Sequence, residues 1–398
     1  MQELDSILEK YTSTDKNHLI GASFVAVNEK GETLYSKSFG NRTFDGAPLQ
    51  IDSVLWIASL TKLITAVACM IAVEQGLITL DANVRKIVPE LKDLEVLTGF
   101  EDGGTPRKPI VKKTNTPISL RQLLSHQSGF AYDQLCVPLQ EWSKYHKRTD
   151  WTMTGSMNGY NHPLIFEPGC GWVYGAGMDW AGRTVEIISG MSLEKYMSQN
   201  IFSKLGMKDT TFHPELRPGF ASRQMDMAWR NRATGELTHG KNPWGFPAQD
   251  CCGGVGLYST AEDYAKLLQI FLAGGGSILT KESTDEILTS QLEDPKYFRE
   301  IINGPARAQL GQTWPEGASA TFGLSSSINL EDFPGRRLKN SANWSGMPGL
   351  HAWVDRETGI AGLIATQVLP PGDPMVTKCL LELEIALYTY LRGSHEQR

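Results

Sequence analysis

The chain has 398 residues, 41% of them hydrophobic and 21% charged, with a formal net charge of −6. That is long enough for two domains with a large core, and the composition is ordinary for a soluble globular protein. No basic block is present, so nothing supports a nucleic-acid partner, which is met by a clustered positive face.

The opening stretch MQELDSILEKYTSTDK puts acids early and no apolar run behind them. It does not read as a secretory signal. Leu4, Ile7, Leu8 and Tyr11 follow helical spacing instead, and predict a short amphipathic helix. GASFVAVNEKGETLYSKSFGNRT alternates apolar residues about Glu29-Lys30-Gly31, the signature of an antiparallel hairpin. A long helix is expected from near Ser59 to a C-cap at Gly76. Residues 100–117, rich in Gly, Pro and charge, are expected to form an irregular excursion.

The middle of the chain is mainly helical by pattern. LRQLLSHQSG, DWAGRTVEIISG and SLEKYMSQNIFSKLG each end in glycine, and AEDYAKLLQIFL follows at 261–272. Strand patterns return in ATFGLSSSINL and in LHAWVDRETGIAGLIATQV, a hairpin turning at Arg356–Gly359. VTKCLLELEIALYTYL closes the chain as a helix. Strands at both ends with helices between predict an α/β (α+β) fold, with one antiparallel sheet built from both termini and flanked by helices. Residues 1–92 and 300–398 are expected to form the α/β domain. Residues 93–299 form an inserted, mainly helical region, part of which packs on the α/β domain. A cleft between the two is the expected site.

No apolar run reaches the roughly 18–20 residues that a membrane span needs; the best, Leu63–Val73, is short. Six cysteines in a chain without a signal read as free thiols in a reducing, cytoplasmic setting. Cys251-Cys252 reads as a buried turn or a redox pair. No metal-ligand spacing occurs among the eight histidines, and His126 reads as a packed or capping residue.

One residue breaks the apolar segment VLWIASLTKLITAVACMIAV. Lys62 is the only charged residue between Asp52 and Glu74, three positions after Ser59. Ser-x-x-K occurs three times in the chain, also at Ser13–Lys16 and Ser192–Lys195. The first of these is polar in context, and Ser192 reads as a helix N-cap. On a helix, residues three apart share a face, so Ser59 Oγ and Lys62 Nζ can meet. Two readings of Lys62 stand. It can snorkel its charge out of the core, or sit dry beside the serine and serve its activation.

The motifs S-L-T-K, LLSHQSGF, PGCGWVYGAGMDWAG, GGVGLYSTAEDYAKLL and NWSGMPG, in that order, give a chain that resembles the serine β-lactamase and penicillin-binding-protein superfamily. It resembles the class C and family VIII esterase side, and is most similar there to fungal polyketide acyltransferases of the lovastatin-transesterase type. The similarity spans roughly residues 15–390. The resemblance implies that Ser59 is the acylated nucleophile, Lys62 its helix-turn partner and Tyr174 the phenol that shuttles the proton. It implies an oxyanion hole from the backbone N–H groups of Ser59 and Met347. Trp344-Ser345-Gly346 then matches the strand that carries Lys-Thr-Gly in penicillin-recognising members. Without that resemblance, Tyr174 in its Gly-rich turn reads only as packing.

Two departures bear on substrate. Trp344 replaces the lysine that would anchor a β-lactam carboxylate, and Ala176 stands where lactamases place an asparagine. Both point to an uncharged or aromatic-bearing ester or thioester. Trp172, Trp244, Phe246 and Trp314, with Trp344, are candidates for lining the substrate pocket, against core packing for each. The expected activity is transfer of an acyl group from an ester or carrier-bound thioester to an alcohol, with no cofactor or metal. The partners are then a small-molecule donor and acceptor, and possibly a synthase acyl-carrier domain. Hydrolysis of a related ester is the alternative, and a catalytically silent ligand-binding module is the second.

Overall fold

The computed structural model describes residues 1–13 and 18–396; Lys16 of the first Ser-x-x-Lys match lies outside the described residues. Helix α1 (Gln2–Thr12) buries Leu4, Ile7, Leu8 and Tyr11 on one face. Strands β1 (Gly21–Asn28) and β2 (Thr33–Gly40) pair antiparallel. Their turn is held by Asn28 Oδ1, which accepts from the backbone N–H groups of Lys30 and Glu32.

Helix α2 (Thr61–Glu74) follows a single 3-10 turn at Ala58–Leu60. Every residue from Thr61 to Ala72 is buried, as expected for a helix apolar on all sides. Gly76 sits at φ +71° just beyond its end, the left-handed conformation that glycine adopts without steric cost.

The expectation for residues 100–117 is corrected. Strands β3 (Glu95–Phe100) and β4 (Pro109–Lys113) form a two-stranded antiparallel hairpin. The Gly and Pro signals at 103–106 belong to its turn. Ile110 and Val111 lie exposed, so no buried alternation marked the second strand in the sequence.

The middle of the chain is helical but broken. The helix expected through LRQLLSHQSG is only Leu120–Leu124, opened by a capping box between Ser119 and Gln122 and ended before His126, at φ +62°. Helix α3 (Gly177–Ser189) stops at Gly190. Ser192 caps the next helix by accepting from Lys195 N–H, and Leu193–Met197 runs on through a π turn at Ser198–Phe202. Helix α4 spans Ala261–Leu272.

Strands β5 (Ala320–Phe322), β6 (Ser327–Asn329), β7 (Ala342–Gly346), β8 (Leu350–Asp355) and β9 (Ile360–Ala365) complete the main sheet, and helix α5 (Pro374–Glu396) closes the chain. The order is β2-β1-β9-β8-β7-β6-β5, with every pair antiparallel. β1 from the N-terminus thus pairs with β9 from the C-terminus, Ser23 opposite Ala365. α4 packs on β1, β8 and β9, while α1 packs against α5 and β2. All residues of β8 and β9 are buried, because both faces of the sheet are covered. Among the described residues, no helix is long and apolar enough to cross a membrane.

Candidate active site

The turn that carries Ser59 is held from below. Leu55 and Trp56 pair with Ser259 and Tyr258 in a short antiparallel bridge, and the chain then turns through Ala58, at φ +45°. That conformation is uncommon for a residue with a Cβ and carries backbone strain. It sets Ser59 at the head of α2, where the helix dipole favours negative charge.

Lys62, one helical turn on, is fully buried. Its Nζ donates to Ser59 Oγ at 3.2 Å, Tyr132 OH at 3.1 Å and the Gly254 carbonyl at 2.7 Å. The three N–H donors of an ammonium thus meet three acceptors, and Lys62 does not snorkel. Tyr174 OH lies 2.5 Å from Ser59 Oγ and donates to it. Lys62 Nζ stands 4.7 Å from the centre of the Tyr174 ring. Ser59, Lys62 and Tyr174, from two distant segments, are therefore one cluster.

The LLSHQSGF segment sits beneath this tyrosine. His126 packs its ring edge-on to Tyr174 at 5.0 Å and accepts the Gly175 N–H on Nδ1 at 3.4 Å. Burial, and then the charge of Lys62, hold His126 well below its usual 6.5, so it is a neutral, packed residue. A Cβ on Gly175 would lie 2.0 Å from the Phe130 carbonyl. The tyrosine turn is thereby pressed against residues 130–131.

Two functional groups escaped the reading of the sequence. Tyr132 OH donates to Asp179 Oδ2 at 3.0 Å, and Gly254 N–H donates to Asp179 Oδ1 at 2.8 Å. Asp179 is fully buried in the first turn of α3. Burial raises its carboxyl from 3.8 to about 6, opposed by Lys62, the Gly254 N–H and Tyr132. Tyr132 is held well above 10 by burial and by that carboxylate. Asp179, Tyr132 and Lys62 make a continuous chain to the serine. In the sequence Tyr132 looked like one more core aromatic, and Asp179 like a helix-start acid.

β7 closes the other wall. A Cβ on Gly346 would lie 2.5 Å from the Ile57 carbonyl, so the strand runs tight against the turn that carries Ser59. Ser59, Tyr132, Tyr174, Trp344, Ser345 and Met347 line one cavity. Trp344 tilts over Tyr174 at 5.2 Å. Ser345 Oγ lies 2.6 Å from Nδ1 of His351, a further cavity residue absent from the sequence reading. Burial, with Arg337 nearby, pushes His351 down to about 3. Among the described residues, the one Asp, Glu, Lys or Arg lining the cavity is Asp373, which is paired with Arg230.

The other four candidate aromatics lie elsewhere. Trp172 packs behind Tyr174, against Phe298 and Phe322 at 4.9 and 5.2 Å. Trp244 stacks on Trp56, and Trp314 packs against Phe333. Phe246 is 54% exposed. None of the four lines the cavity, because core packing, not the site, claims the indoles. Cys251-Cys252 forms a turn against α2, where Thr65 Oγ1 donates to the Gly253 carbonyl. Burial pushes the Cys251 thiol up to about 12 and Cys252 well above 9, which leaves neither as a reactive thiolate.

Comparison with known proteins places the whole chain in a family. The family described as beta-lactamase matches residues 5–386. The chain is 32% identical over 386 residues to monacolin J acid methylbutanoyltransferase of Aspergillus terreus, covering 94% of this chain and 92% of that protein. It is 31% identical over 367 residues to a lovastatin esterase of Penicillium rubens, covering 90% and 91%. Among solved structures, a variant of simvastatin synthase from Aspergillus terreus superposes with a TM-score of 0.90 at 30% identity, covering 98% of this chain and 97% of that one. A likeness that runs through almost the whole chain in both sequence and shape leaves one conclusion: this chain belongs to the beta-lactamase family.

Proposed function

We propose that the protein is a serine acyltransferase that moves an acyl group from an ester or thioester to an alcohol of a secondary metabolite. The observation that carries this reading is the contact of Ser59 Oγ with Tyr174 OH at 2.5 Å and with the buried Lys62 Nζ at 3.2 Å. The relatives named as acyltransferases support it.

The steps follow from the geometry. Across the 2.5 Å contact between the two oxygens, the Ser59 proton passes to the phenolate form of Tyr174 as Oγ bonds to the acyl carbon. The Lys62 ammonium stabilises the negative charge that the phenol oxygen carries between transfers. The tetrahedral oxyanion is met by the backbone N–H groups of Ser59 and Met347; losing one such donor typically costs about 3–4 kcal/mol. The C–O or C–S bond of the donor then breaks, and the departing oxygen or sulfur takes the proton from Tyr174. In the second half an alcohol gives its proton to Tyr174 and attacks the acyl carbon. The bond to Ser59 breaks, and Oγ regains a proton from the phenol. One ester is exchanged for another, with no net change in protons.

Asp179 and Tyr132 act as positioning residues. They hold Lys62 on its third side and balance its charge within the core. The cavity selects a neutral substrate, since among the described residues its one charged lining residue is already paired, and a β-lactam carboxylate meets Trp344 where a lysine would hold it. A thioester delivered by a synthase acyl-carrier domain fits the same chemistry. Hydrolysis is the second reading, supported by the similarity to a lovastatin esterase, because water can replace the alcohol without any change in the protein groups.

A fluorophosphonate probe followed by peptide mass spectrometry tests the nucleophile. Ser59 should carry the label, and Ser59→Ala should lose it while unfolding cooperatively. A folded wild-type protein left unlabelled at Ser59 would point to a silent ligand-binding module.

A further inference from the structure

The cavity continues onto the face of β7 turned away from Tyr174, and that face is polar. Residues two apart on a strand share a face. Asn343 and Ser345 therefore point together, opposite to Trp344, whose ring tilts over Tyr174. Strand pairing sets Ser327 of β6 beside Asn343, and His351 of β8 beside Ser345. All four line the cavity that holds Ser59. Three of them are committed. Ser327 Oγ donates to the Asn343 backbone carbonyl at 2.8 Å, and Ser345 Oγ and His351 Nδ1 lie 2.6 Å apart. The fourth is not. The Asn343 residue is 7% exposed, and its Nδ2 has no hydrogen-bond partner among the described residues. A buried N–H without an acceptor costs free energy, and folded proteins keep few of them.

We propose that Asn343 is a specificity-determining residue whose amide N–H receives a carbonyl oxygen carried by the alcohol half of the substrate, away from the reacting hydroxyl. The assignment rests on the acyl-transfer reading above and deepens it, by naming a second polar group that the alcohol carries. The alcohol must bring its hydroxyl to Tyr174 in this same cavity, so the rest of it extends past Trp344 onto the far face of β7. With no bond on its nitrogen, the Asn343 amide turns about Cβ–Cγ at little cost and presents its N–H to the cavity. The matching group is the carbonyl of an ester, lactone or amide, not a carboxylate. Among the described residues no Lys or Arg lines the cavity, and Asp373 there is paired with Arg230. A carboxylate would shed its hydration with no cation to meet it.

The test loads Ser59 with acetyl from acetyl-N-acetylcysteamine, confirmed by intact mass, and measures transfer to three acceptor series matched in length: alkanols, ω-hydroxy methyl esters and ω-hydroxy acids. In the wild type, hydroxy esters should outrun alkanols of equal length about tenfold at a favoured spacer length, the effect of one buried donor gaining its acceptor. The acids should fall below the alkanols. Asn343→Leu keeps the shape of the side chain and removes the N–H. It should bring the ester-to-alkanol ratio to about one at every length, and because the ratio is taken within one protein, a general loss of rate cancels. Ester and alkanol profiles that coincide in the wild type would overturn the subsite whether or not the variant folds, and so would a preference that survives Asn343→Leu. Either result leaves acyl transfer standing. Wild-type protein that forms no acetyl ester on Ser59, or passes acetyl only to water, would remove the transfer reading itself, and the subsite with it.

Discussion

Tyr174 and Asp179 differ in what they do to the serine, and their variants should fail differently. The Tyr174 phenol touches Ser59 Oγ and, in the proposed reaction, transfers its proton. Tyr174→Phe should slow acylation by about 10²–10⁴-fold, read as the burst of thiol released from a model thioester. Asp179 acts through Tyr132 and Lys62, and its effect should depend on pH. As pH falls through about 6 its carboxylate gains a proton and Lys62 loses its balancing charge. Acylation should therefore fall along an acid limb near that value, and Asp179→Asn should flatten the limb while lowering the plateau. A pH–rate profile of both proteins checks this. Stability runs the other way. The folded value is raised above 3.8, so this group's contribution to stability is fully present below 3.8 and is lost as pH rises through about 6. The enzyme thus works where the buried carboxylate costs the fold most. Lys62 was legible in the sequence, because a charge in an apolar helix is an anomaly in one dimension. Asp179 and Tyr132 were not, because neither residue is unusual where it stands, and only folding brings them within 3.0 Å.

At the scale of elements, the site is three turns forced together. Ser59 rides the strained turn into α2, Tyr174 the glycine-rich turn into α3, and Gly346 the tight end of β7. Gly175 is where this is least negotiable. Its missing Cβ is what lets the tyrosine turn lie on residues 130–131. Gly175→Ala should move the Tyr174 backbone, abolish Ser59 labelling and lower Tm by several degrees, about what 1–2 kcal/mol does to a domain. Calorimetry beside the labelling assay measures both. The extent of α2 and the β1–β2 hairpin followed from local pattern, since caps and alternation are encoded within a few residues. The β3–β4 hairpin did not, because its outer strand is exposed and so carries no hydrophobic period. The four displaced tryptophan and phenylalanine candidates teach the same lesson. An aromatic serves a core or a pocket equally well, and its neighbours in space decide which.

At the scale of the molecule, the sheet joins the two ends of the chain, and α5 secures them. Glu384, fully buried on α5, accepts from Arg336 at 2.7 Å and lies 2.9 Å from Arg337. Glu384→Ala would leave two buried guanidinium groups without their anion. It should cost about 3–5 kcal/mol, as breaking a buried ion pair does, visible as a lower urea midpoint, while the geometry around Ser59 is retained by the surviving fold.

The sequence alone determined the sheet built from both termini, the helical region between them, and the serine and lysine one helical turn apart; Tyr174 joined them only through the resemblance of its motif to the family's. Each of these is written in local periodicity or in a short motif, so it survives reading in one dimension. Only the tertiary structure decided which aromatics line the cavity and that a buried carboxylate stands behind the lysine. Those properties belong to the spaces between segments far apart in the chain, such as Lys62 and Tyr132, 70 positions apart, and a space has no residue of its own to announce it.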